Sequence, residues 1–588
     1  MKISLISIIP GIHDYGMRTI SACLKKAGHD VDLIFLLKEF YKKYSEKTMN
    51  NLVKLTKGSD LAGLSVMTNF WDHAIQVTQK LKNNYDFPIL WGGIHPTIRP
   101  EECLDYADMV CMGEAEETVV ELADKIQNRQ YYHDIKGMGF NNKGKIIVNG
   151  TRERPGTKNA IIKSLDYIPF QDYDYRTHFV LKGENIIKMD LKILSHCDYL
   201  YQTLPTRGCP FGCTYCVNNT ILAKHPHQKS VRIRSADNII MELQEVKRNL
   251  PFVKMIQFSD DSIGLMPVDE LRKFSKSYKE QIRLPLIIIG IVPAIFNEEK
   301  LSLLLDAGLI ELGFGIQSAS ESSKKLYKRP HTNHRVANAI KMVNKYRDQL
   351  KVNYDIILDN PWDTDEDLIE TLMFLSKLPT PFILNIFSLS FFPGTDLYRK
   401  AKKEGIIKDD LNDIYRKYYY GCTNTYLNKL FRLLNDYTII GIGISPITMF
   451  ILTRKITRKL YLHKFLRNVI RSLLPFFRFI GHSTRRSTRL YVPGNTIKFM
   501  EGKETYKSDL RNDFNMGTSL EEFHSEDNAF QFCGDEHEYS TQKRDVFYDG
   551  KYKGKTPLDW LVRKSKKMKL ILFKAIYGLK GDDIIKKG

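Results

Sequence analysis

The stretch Thr206–Asn218, TRGCPFGCTYCVN, decides how the rest of the chain is interpreted. It spaces Cys209, Cys213 and Cys216 as C-x3-C-x2-C, with two glycines and a proline bending the backbone around them. Structural zinc normally takes four protein ligands, so three thiolates alone fit it poorly. A [4Fe–4S] cluster can take three thiolates and leave its fourth iron for a ligand that is not protein. The spacing therefore predicts an iron–sulfur site. Zinc with a distant fourth ligand, or three thiols without a metal, are the alternatives.

The composition indicates a large folded protein of a reducing compartment. The 588 residues predict roughly three or four domains, and 43% hydrophobic content suffices for buried cores. Nine cysteines in so long a chain are not a disulfide framework. The N-terminal MKISLISIIPG predicts a buried strand rather than a signal peptide, so we expect a cytoplasmic protein. The net charge of +20 is concentrated late in the chain without a nucleic-acid-binding motif, so no nucleic-acid partner is expected.

Residues 1–130 alternate short apolar runs with helical patterns, which predicts a doubly wound parallel sheet of Rossmann or flavodoxin type. The predicted strands cover residues 3–9, 31–37, 61–66, 88–91 and 109–112, and the helices 18–27, 72–82 and 114–126. Ligands of such sheets bind at the carboxyl ends of the strands. The candidate binding residues at those ends are Gly11, Ser65, Thr68, Gly92, Gly93, Gly113 and Glu114.

The middle of the chain repeats strand–helix units after a turn-rich stretch. Residues 131–195 lack periodicity and predict a linker with one hairpin. Residues 196–405 contain six strand–helix units, which predict a partial (β/α)6 barrel whose reactive end is the carboxyl edge of its strands. The predicted strands cover residues 199–205, 255–258, 286–292, 310–316, 354–358 and 383–391.

The cysteine loop, with Tyr215 before its last cysteine, resembles the cluster loop of the radical SAM superfamily. In that family the free iron chelates S-adenosylmethionine (SAM), and an electron from a reductant such as flavodoxin or ferredoxin cleaves it to a 5′-deoxyadenosyl radical. The segments FSDDS and GFGIQSASESSKKLYKR match later family blocks in the same order, with Gln317 where glutamate is usual. The resemblance implies that SAM is contacted by Tyr215, Asp260, Asp261, Gln317, Ser318 and Arg329.

The segment GGIHPTIRPEE, followed by GEAEET, resembles the cobalamin-binding domain that precedes the barrel in one radical SAM subgroup. The resemblance implies cobalamin at the strand-end residues named above. Many cobalamin domains carry D-x-H-x-x-G after the first strand, with the histidine on cobalt. Here the loop keeps His13 and Gly16 but lacks the aspartate, so we expect cobalamin to bind without a histidine ligand.

Residues 406–588 predict a mostly helical, basic region, with 501–550 loosely ordered. Residues 437–453 are apolar and uncharged, but short for a membrane span and interrupted by glycines and a proline. Residues 454–478 place apolar side chains near helical spacing with basic residues between them, and no acidic residue occurs from 437 to 500. This pattern predicts peripheral contact with the inner face of a membrane. Packing of the same helix on the barrel is the alternative.

Together these features predict a cobalamin-associated radical SAM enzyme that methylates an unactivated carbon of a small-molecule or lipid substrate. Radical cyclisation or rearrangement without methyl transfer is the nearest alternative. A methylthiotransferase would need three further cysteines for a second cluster, and only Cys23, Cys103 and Cys111 precede the barrel. A binding scaffold with an inactive barrel is the non-enzymatic alternative, and the three loop cysteines argue against it.

Overall fold

The computed structural model describes residues 1–455 and 457, apart from residues 198, 226–230, 261, 330 and 440. In this part of the chain the strands form one nine-stranded sheet, one six-stranded sheet and one two-stranded ribbon. The first sheet is built from residues 2–188, and the second, whose last strand ends at residue 388, is the core of a barrel.

The first sheet has the order β7-β6-β5-β4-β3-β1-β2-β8-β9. Its strands are β1 Lys2–Ser7, β2 Asp30–Phe35, β3 Leu61–Ser65, β4 Ile89–Gly92, β5 Met109–Cys111, β6 Met138–Asn142, β7 Lys145–Val148, β8 His178–Lys182 and β9 Asn185–Lys188. The inner order β2-β1-β3-β4-β5 is parallel throughout, which confirms the flavodoxin-like prediction. Nearly every residue of these strands is buried, because helices cover both faces of the sheet.

Six helices connect the strands of the first sheet. They are α1 Tyr15–Lys26, α2 Glu46–Thr56, α3 Trp71–Lys82, α4 Ile94–Ile98, α5 Pro100–Cys103 and α6 Glu116–Gln127. Asp14 caps α1 by accepting a hydrogen bond from the Met17 amide, and Ser45 caps α2 in the same way. The sequence analysis did not predict α2.

Residues 131–195 are not a linker, and that prediction is corrected. The β6–β7 hairpin adds antiparallel strands beyond β5, whereas β8 pairs in parallel with β2 and leads into β9. Both hairpins lie at sheet edges, where half-exposed strands such as β7 carry little hydrophobic pattern. The short helix α7, Leu191–Cys197, then leads to the barrel.

The second sheet is parallel and has the order β10-β13-β14-β15-β16-β17, which confirms the partial (β/α)6 barrel. Its strands are β10 Leu200–Thr203, β13 Met255–Ser259, β14 Leu286–Ile291, β15 Leu309–Gln317, β16 Lys351–Leu358 and β17 Ile383–Ser388; the ribbon strands β11 Thr206–Arg207 and β12 Arg232–Ile233 lie between the first two. The helices are α8 Val217–Ala223, α9 Ala236–Asn249, α10 Val268–Ser277, α11 Glu298–Ala307, α12 Glu321–Tyr327, α13 Asn333–Asn344, α14 Asp365–Leu375 and α15 Asp396–Lys403.

Two helices follow the barrel, α16 Tyr426–Thr438 and α17 Pro446–Thr453. The apolar stretch 437–453 is therefore divided: Gly441 adopts a positive φ of 80° between the helices, and Pro446 opens α17. No helix among the described residues is long and apolar enough to cross a membrane. Most of the basic helix predicted over 454–478, and all of 501–550, lie outside the described residues.

Candidate functional site

The cysteine loop emerges from the ribbon β11–β12 and runs into α8. Cys213 is buried, and Cys209 and Cys216 are half-buried. Thr214 fixes the loop to the barrel, because its amide and hydroxyl donate to the carbonyls of Tyr327 (3.2 Å) and Leu326 (2.7 Å).

The residues of the loop fit a [4Fe–4S] cluster. Among the described residues, no three His, Cys, Asp or Glu side chains lie close enough together to bind one metal ion. A [4Fe–4S] cluster does not need such a group, because each cysteine thiolate binds a different iron of the cluster. Arg329 Nη1 lies 3.6 Å from Cys213 Sγ, where a guanidinium stabilises a thiolate. A side chain at Gly212 would meet nothing within 4 Å, so the space beside the loop is open.

Arg329, itself a predicted SAM-contacting residue, connects Cys213 with Tyr215 and with the carboxyl end of β15. Its Nη1 donates to Tyr215 Oη at 3.1 Å, and its Nη2 donates to the carbonyl of Gly315. Burial raises the pKa of Tyr215, so its phenol stays protonated. Gln317 ends β15 with a positive φ of 69°, a strained conformation for a residue with a side chain, and its amide lies close to Gly315. The carboxyl end of β15 thus adjoins the cluster loop.

Two other residues predicted to contact SAM form hydrogen bonds with residues of the protein itself. The buried carboxylate of Asp260 accepts hydrogen bonds from the Thr206 amide (2.5 Å) and hydroxyl (2.6 Å), and from the Ser262 amide (2.6 Å). Ser318 Oγ lies 3.1 Å from Thr371 Oγ1, at the start of the segment that leads to α12. Both residues position loops at the barrel edge, and their contact with SAM stays a prediction. Asp261 lies outside the described residues.

The carboxyl edge of the first sheet contains the predicted cobalamin residues. In a sheet of order 2-1-3-4-5 the binding crevice opens between β1 and β3, where the chain direction switches. The loop after β1 carries Gly11 and His13; Ser65 is the last residue of β3, and Thr68 lies in the segment that follows it. Thr68 Oγ1 lies 3.1 Å from Nδ1 of the fully buried His95.

The glycines at this edge differ in how strongly their surroundings require a residue without a side chain. A Cβ on Gly93, which has a φ of 99°, would lie 3.0 Å from the Val66 carbonyl oxygen, so only glycine fits between the ends of β3 and β4. Gly92 has no comparable neighbour, since the nearest atom to its Cβ would be 4.0 Å away. The Gly113 amide donates to Thr97 Oγ1 at 2.9 Å, which joins the loop after β5 to α4.

Glu114 is engaged within the protein, and its contact with cobalamin stays a prediction. Its carboxylate pairs with Arg207 (3.0 Å) and Arg232 (2.5 Å) of the ribbon below the cysteine loop. Burial alone would raise the pKa of Glu114, but the two guanidinium groups lower it to about 2. Sequence analysis missed both partners, since the arginines carry no motif that links them to Glu114.

Segments that follow strands of the first sheet contact the ribbon next to the cysteine loop and the segment after the barrel. Besides the Glu114 pairs, Glu102 of α5 accepts a hydrogen bond from Tyr415 at 2.9 Å, and Asp72 of α3 pairs with Arg416 at 2.7 Å. The contact after β5 reaches the ribbon β11–β12 of the barrel. The contacts after β3 and β4 reach residues that follow the barrel. A cofactor in the first sheet's crevice would therefore lie on the side of the cysteine loop.

The remaining N-terminal cysteines do not form a second metal site. Cys23, Cys103 and Cys111 lie in α1, α5 and β5, and all three are buried. Burial raises the pKa of Cys23 and of Cys111 to about 12 and also raises that of Cys103, so these thiols stay protonated. The arrangement disfavours the methylthiotransferase alternative.

Comparison with known proteins identifies two domain families in the chain. The model of the radical SAM superfamily matches residues 203–375, and that of the B12 binding domain matches residues 1–123. An uncharacterised methyltransferase of Pyrococcus horikoshii is 26% identical over 404 residues, which are 68% of this chain and 80% of the relative.

Two solved structures share the fold. One is the radical S-adenosylmethionine methyltransferase TsrM from Kitasatospora setae with cobalamin and a [4Fe–4S] cluster bound, with a TM-score of 0.55 and 15% identity over 68% of this chain and 75% of TsrM. The other is the cobalamin-dependent S-adenosylmethionine radical enzyme OxsB, with a TM-score of 0.52 and 14% identity over 90% of this chain and 83% of OxsB.

Proposed function

The chain belongs to the radical SAM superfamily and carries an N-terminal B12-binding domain, and from this premise we propose that it methylates an unactivated carbon of a biosynthetic substrate. Its cofactors are a [4Fe–4S] cluster, SAM and cobalamin. The observation that carries the proposal is that Glu114, which follows β5 of the B12 sheet, pairs with Arg207 and Arg232 of the ribbon beside the cluster loop. This contact would bring the residues expected to hold cobalamin and those expected to hold the cluster to the same junction.

Residues of the chain would bind the cluster and surround the junction where the reaction is proposed to occur. When bound, the cluster supplies the electron that cleaves SAM, and cobalamin supplies the methyl group. Cys209, Cys213 and Cys216 would hold the cluster, and Arg329 places a positive charge beside it. Tyr415 packs one side of the junction through its hydrogen bond to Glu102 and its ring contact with Trp71.

The test is product analysis after anaerobic reconstitution with SAM, a chemical reductant and candidate small-molecule acceptors. Methylation predicts S-adenosylhomocysteine and 5′-deoxyadenosine in equal amounts, because one SAM supplies the methyl group and another the radical. Protein with all three loop cysteines replaced by alanine should form neither 5′-deoxyadenosine nor methylated acceptor. 5′-Deoxyadenosine without S-adenosylhomocysteine would contradict methylation.

Radical cyclisation or rearrangement remains the alternative function. The solved structure of OxsB, which aligns with 90% of this chain, is described as a cobalamin-dependent radical enzyme without mention of methyl transfer. The two functions differ in products, since only methylation consumes a second SAM molecule. Flavodoxin or ferredoxin is the proposed reductant in either case.

We further propose that the protein contacts the inner face of an anionic membrane through α17. Ile447, Phe450 and Ile451 share one face of this helix and are 75%, 46% and 49% exposed. Arg454 lies over the Phe450 ring at 4.0 Å, and the chain contains no acidic residue from 437 to 500. Apolar side chains beside basic ones are typical of a helix that binds the surface of an anionic bilayer.

Vesicle co-sedimentation tests the membrane contact. We expect binding to phosphatidylglycerol vesicles that weakens in high salt, because surface attraction is screened. The double variant Ile447→Asp/Phe450→Asp should bind more weakly, whereas the control Ile161→Asp, at a 74% exposed apolar position in the first domain, should bind like the wild type. If the wild type binds no vesicles, the membrane proposal is wrong, and the exposed face of α17 then packs against another part of the protein.

A further inference from the structure

The ribbon below the cysteine loop carries two arginines directly opposite each other. Arg207 on β11 pairs in register with Arg232 on β12, and each of these strands has only two residues. Like charges at directly opposite positions destabilise a strand pair. The ribbon therefore needs an anion between the two guanidinium groups.

The first domain supplies that anion. Glu114 Oε2 accepts hydrogen bonds from Arg207 Nη1 (3.0 Å) and Arg232 Nη1 (2.8 Å), and its Oε1 accepts from Arg232 Nη2 (2.5 Å). Glu116 adds a second carboxylate, 2.6 Å from Arg207 Nη1. The Arg207 and Arg232 side chains are only 11% and 3% exposed, so water replaces little of this pairing.

A third carboxylate, on the barrel side, binds the residue next to Arg207. Asp260, at the carboxyl end of β13, binds the amide and hydroxyl of Thr206, the residue before Arg207. Ser262 extends this support by donating to the Gly208 carbonyl at 2.8 Å. The start of the cysteine loop is thus held by one carboxylate of the barrel, Asp260, and two of the B12 domain, Glu114 and Glu116.

We infer that Glu114 is a positioning residue that clamps the cluster loop to the B12 domain and so sets the separation between the two cofactors. This inference rests on the proposed function for its consequence, although the clamp itself is defined by contacts between side chains. Effective transfer between two sites depends steeply on distance, and a displacement of about 1 Å can cost about 100-fold in rate. Loosening the clamp should therefore impair the step that needs both cofactors more than the step that needs only the cluster.

The test compares Glu114→Gln with Asp72→Asn. The control removes another interdomain carboxylate, whose partner Arg416 lies beyond the barrel rather than in the cluster loop. In the cofactor-free protein, amide hydrogen exchange over residues 206–216 should accelerate in Glu114→Gln and not in Asp72→Asn. In the reconstituted protein, with unchanged iron and cobalamin content, the ratio of 5′-deoxyadenosine to S-adenosylhomocysteine should rise about tenfold in Glu114→Gln alone.

The possible outcomes show separately whether the clamp proposal or the methylation proposal fails. If the wild type forms no S-adenosylhomocysteine, the methylation proposal fails, and hydrogen exchange still decides the clamp. Unchanged exchange in Glu114→Gln, or equal effects in both variants, would overturn the clamp whatever the wild type produces. Should Glu114→Gln not fold, Glu114→Asp keeps the charge and shortens the side chain by one methylene. It should then show the same two changes at a smaller amplitude, and wild-type values for both would overturn the inference.

Discussion

At the residue scale, Arg329 is the clearest link between the barrel and the expected cluster. Its Nη1 lies 3.6 Å from Cys213 Sγ. Net charge and hydrogen bonds to sulfur set the potential of iron–sulfur clusters. Arg329→Gln should therefore make the cluster harder to reduce, by about 60 mV, which is a tenfold change for one electron. A redox titration followed by electron paramagnetic resonance measures this shift; the control Arg272→Gln, on the exposed face of α10, should leave the potential unchanged. An equal potential in wild type and Arg329→Gln would exclude this role.

The three cysteines give a second prediction at this scale. Protein purified anaerobically should contain about four irons per chain, and replacement of Cys209, Cys213 and Cys216 by alanine should remove nearly all of them. Replacing Cys23, Cys103 and Cys111 instead should leave the iron content unchanged, since these thiols lie apart in α1, α5 and β5. Iron analysis together with the absorption spectrum measures both variants. A cluster that survives the first replacement would contradict the assignment of the loop.

At the element scale, Gly93 decides how closely the ends of β3 and β4 approach. Gly93→Ala should destabilise the protein by about 1–3 kcal/mol, because a side chain at φ 99° is strained and its Cβ would meet the Val66 carbonyl at 3.0 Å. Gly144→Ala is the matched control: its φ of 89° is similar, but a Cβ there meets nothing within 4 Å. Denaturant unfolding should show a larger loss for Gly93→Ala, and equal losses would mean that the close approach to Val66 has no cost.

At the scale of the whole molecule, the junction of the two domains buries His95 between Trp71 and Tyr415. Burial, together with the nearby positive charge of Arg99, lowers the pKa of His95 to about 3. In the unfolded chain a histidine has a pKa of about 6.5, so between these values the unfolded state binds a proton that the folded state does not. Stability should therefore fall as the pH drops from about 6.5 towards 3, by up to about 1.4 kcal/mol per pH unit from this residue.

Unfolding free energies at pH 7 and pH 5 test this dependence. The variant His95→Phe keeps an aromatic ring between Trp71 and Tyr415 but cannot bind a proton, so its loss of stability at pH 5 should be smaller than that of the wild type. A residual slope is expected, because burial also lowers the pKa of His178, to about 4. An identical slope in His95→Phe and wild type would exclude His95 as a source of the pH dependence.

Several features of this protein were determined by the sequence alone. Alternating apolar runs and helical patterns predicted both parallel sheets, because periodicity is a local property that each segment carries by itself. The cysteine spacing predicted the cluster loop for the same reason, since its three ligands lie within one short segment. The glycines that follow β1 and β4 predicted a ligand at the carboxyl edge of the first sheet, and that stays a prediction.

Only the tertiary structure decided how distant segments meet. The hairpins β6–β7 and β8–β9 join opposite edges of one sheet, although a single stretch of sequence without periodicity contains both. Glu114 meets arginines 93 and 118 residues further along the chain. Its position after β5 suggested a cofactor contact, but its carboxylate is neutralised by charges from the barrel. Such pairings depend on how the two sheets pack, and no local pattern encodes them because an exposed and a buried ion pair use the same residue types.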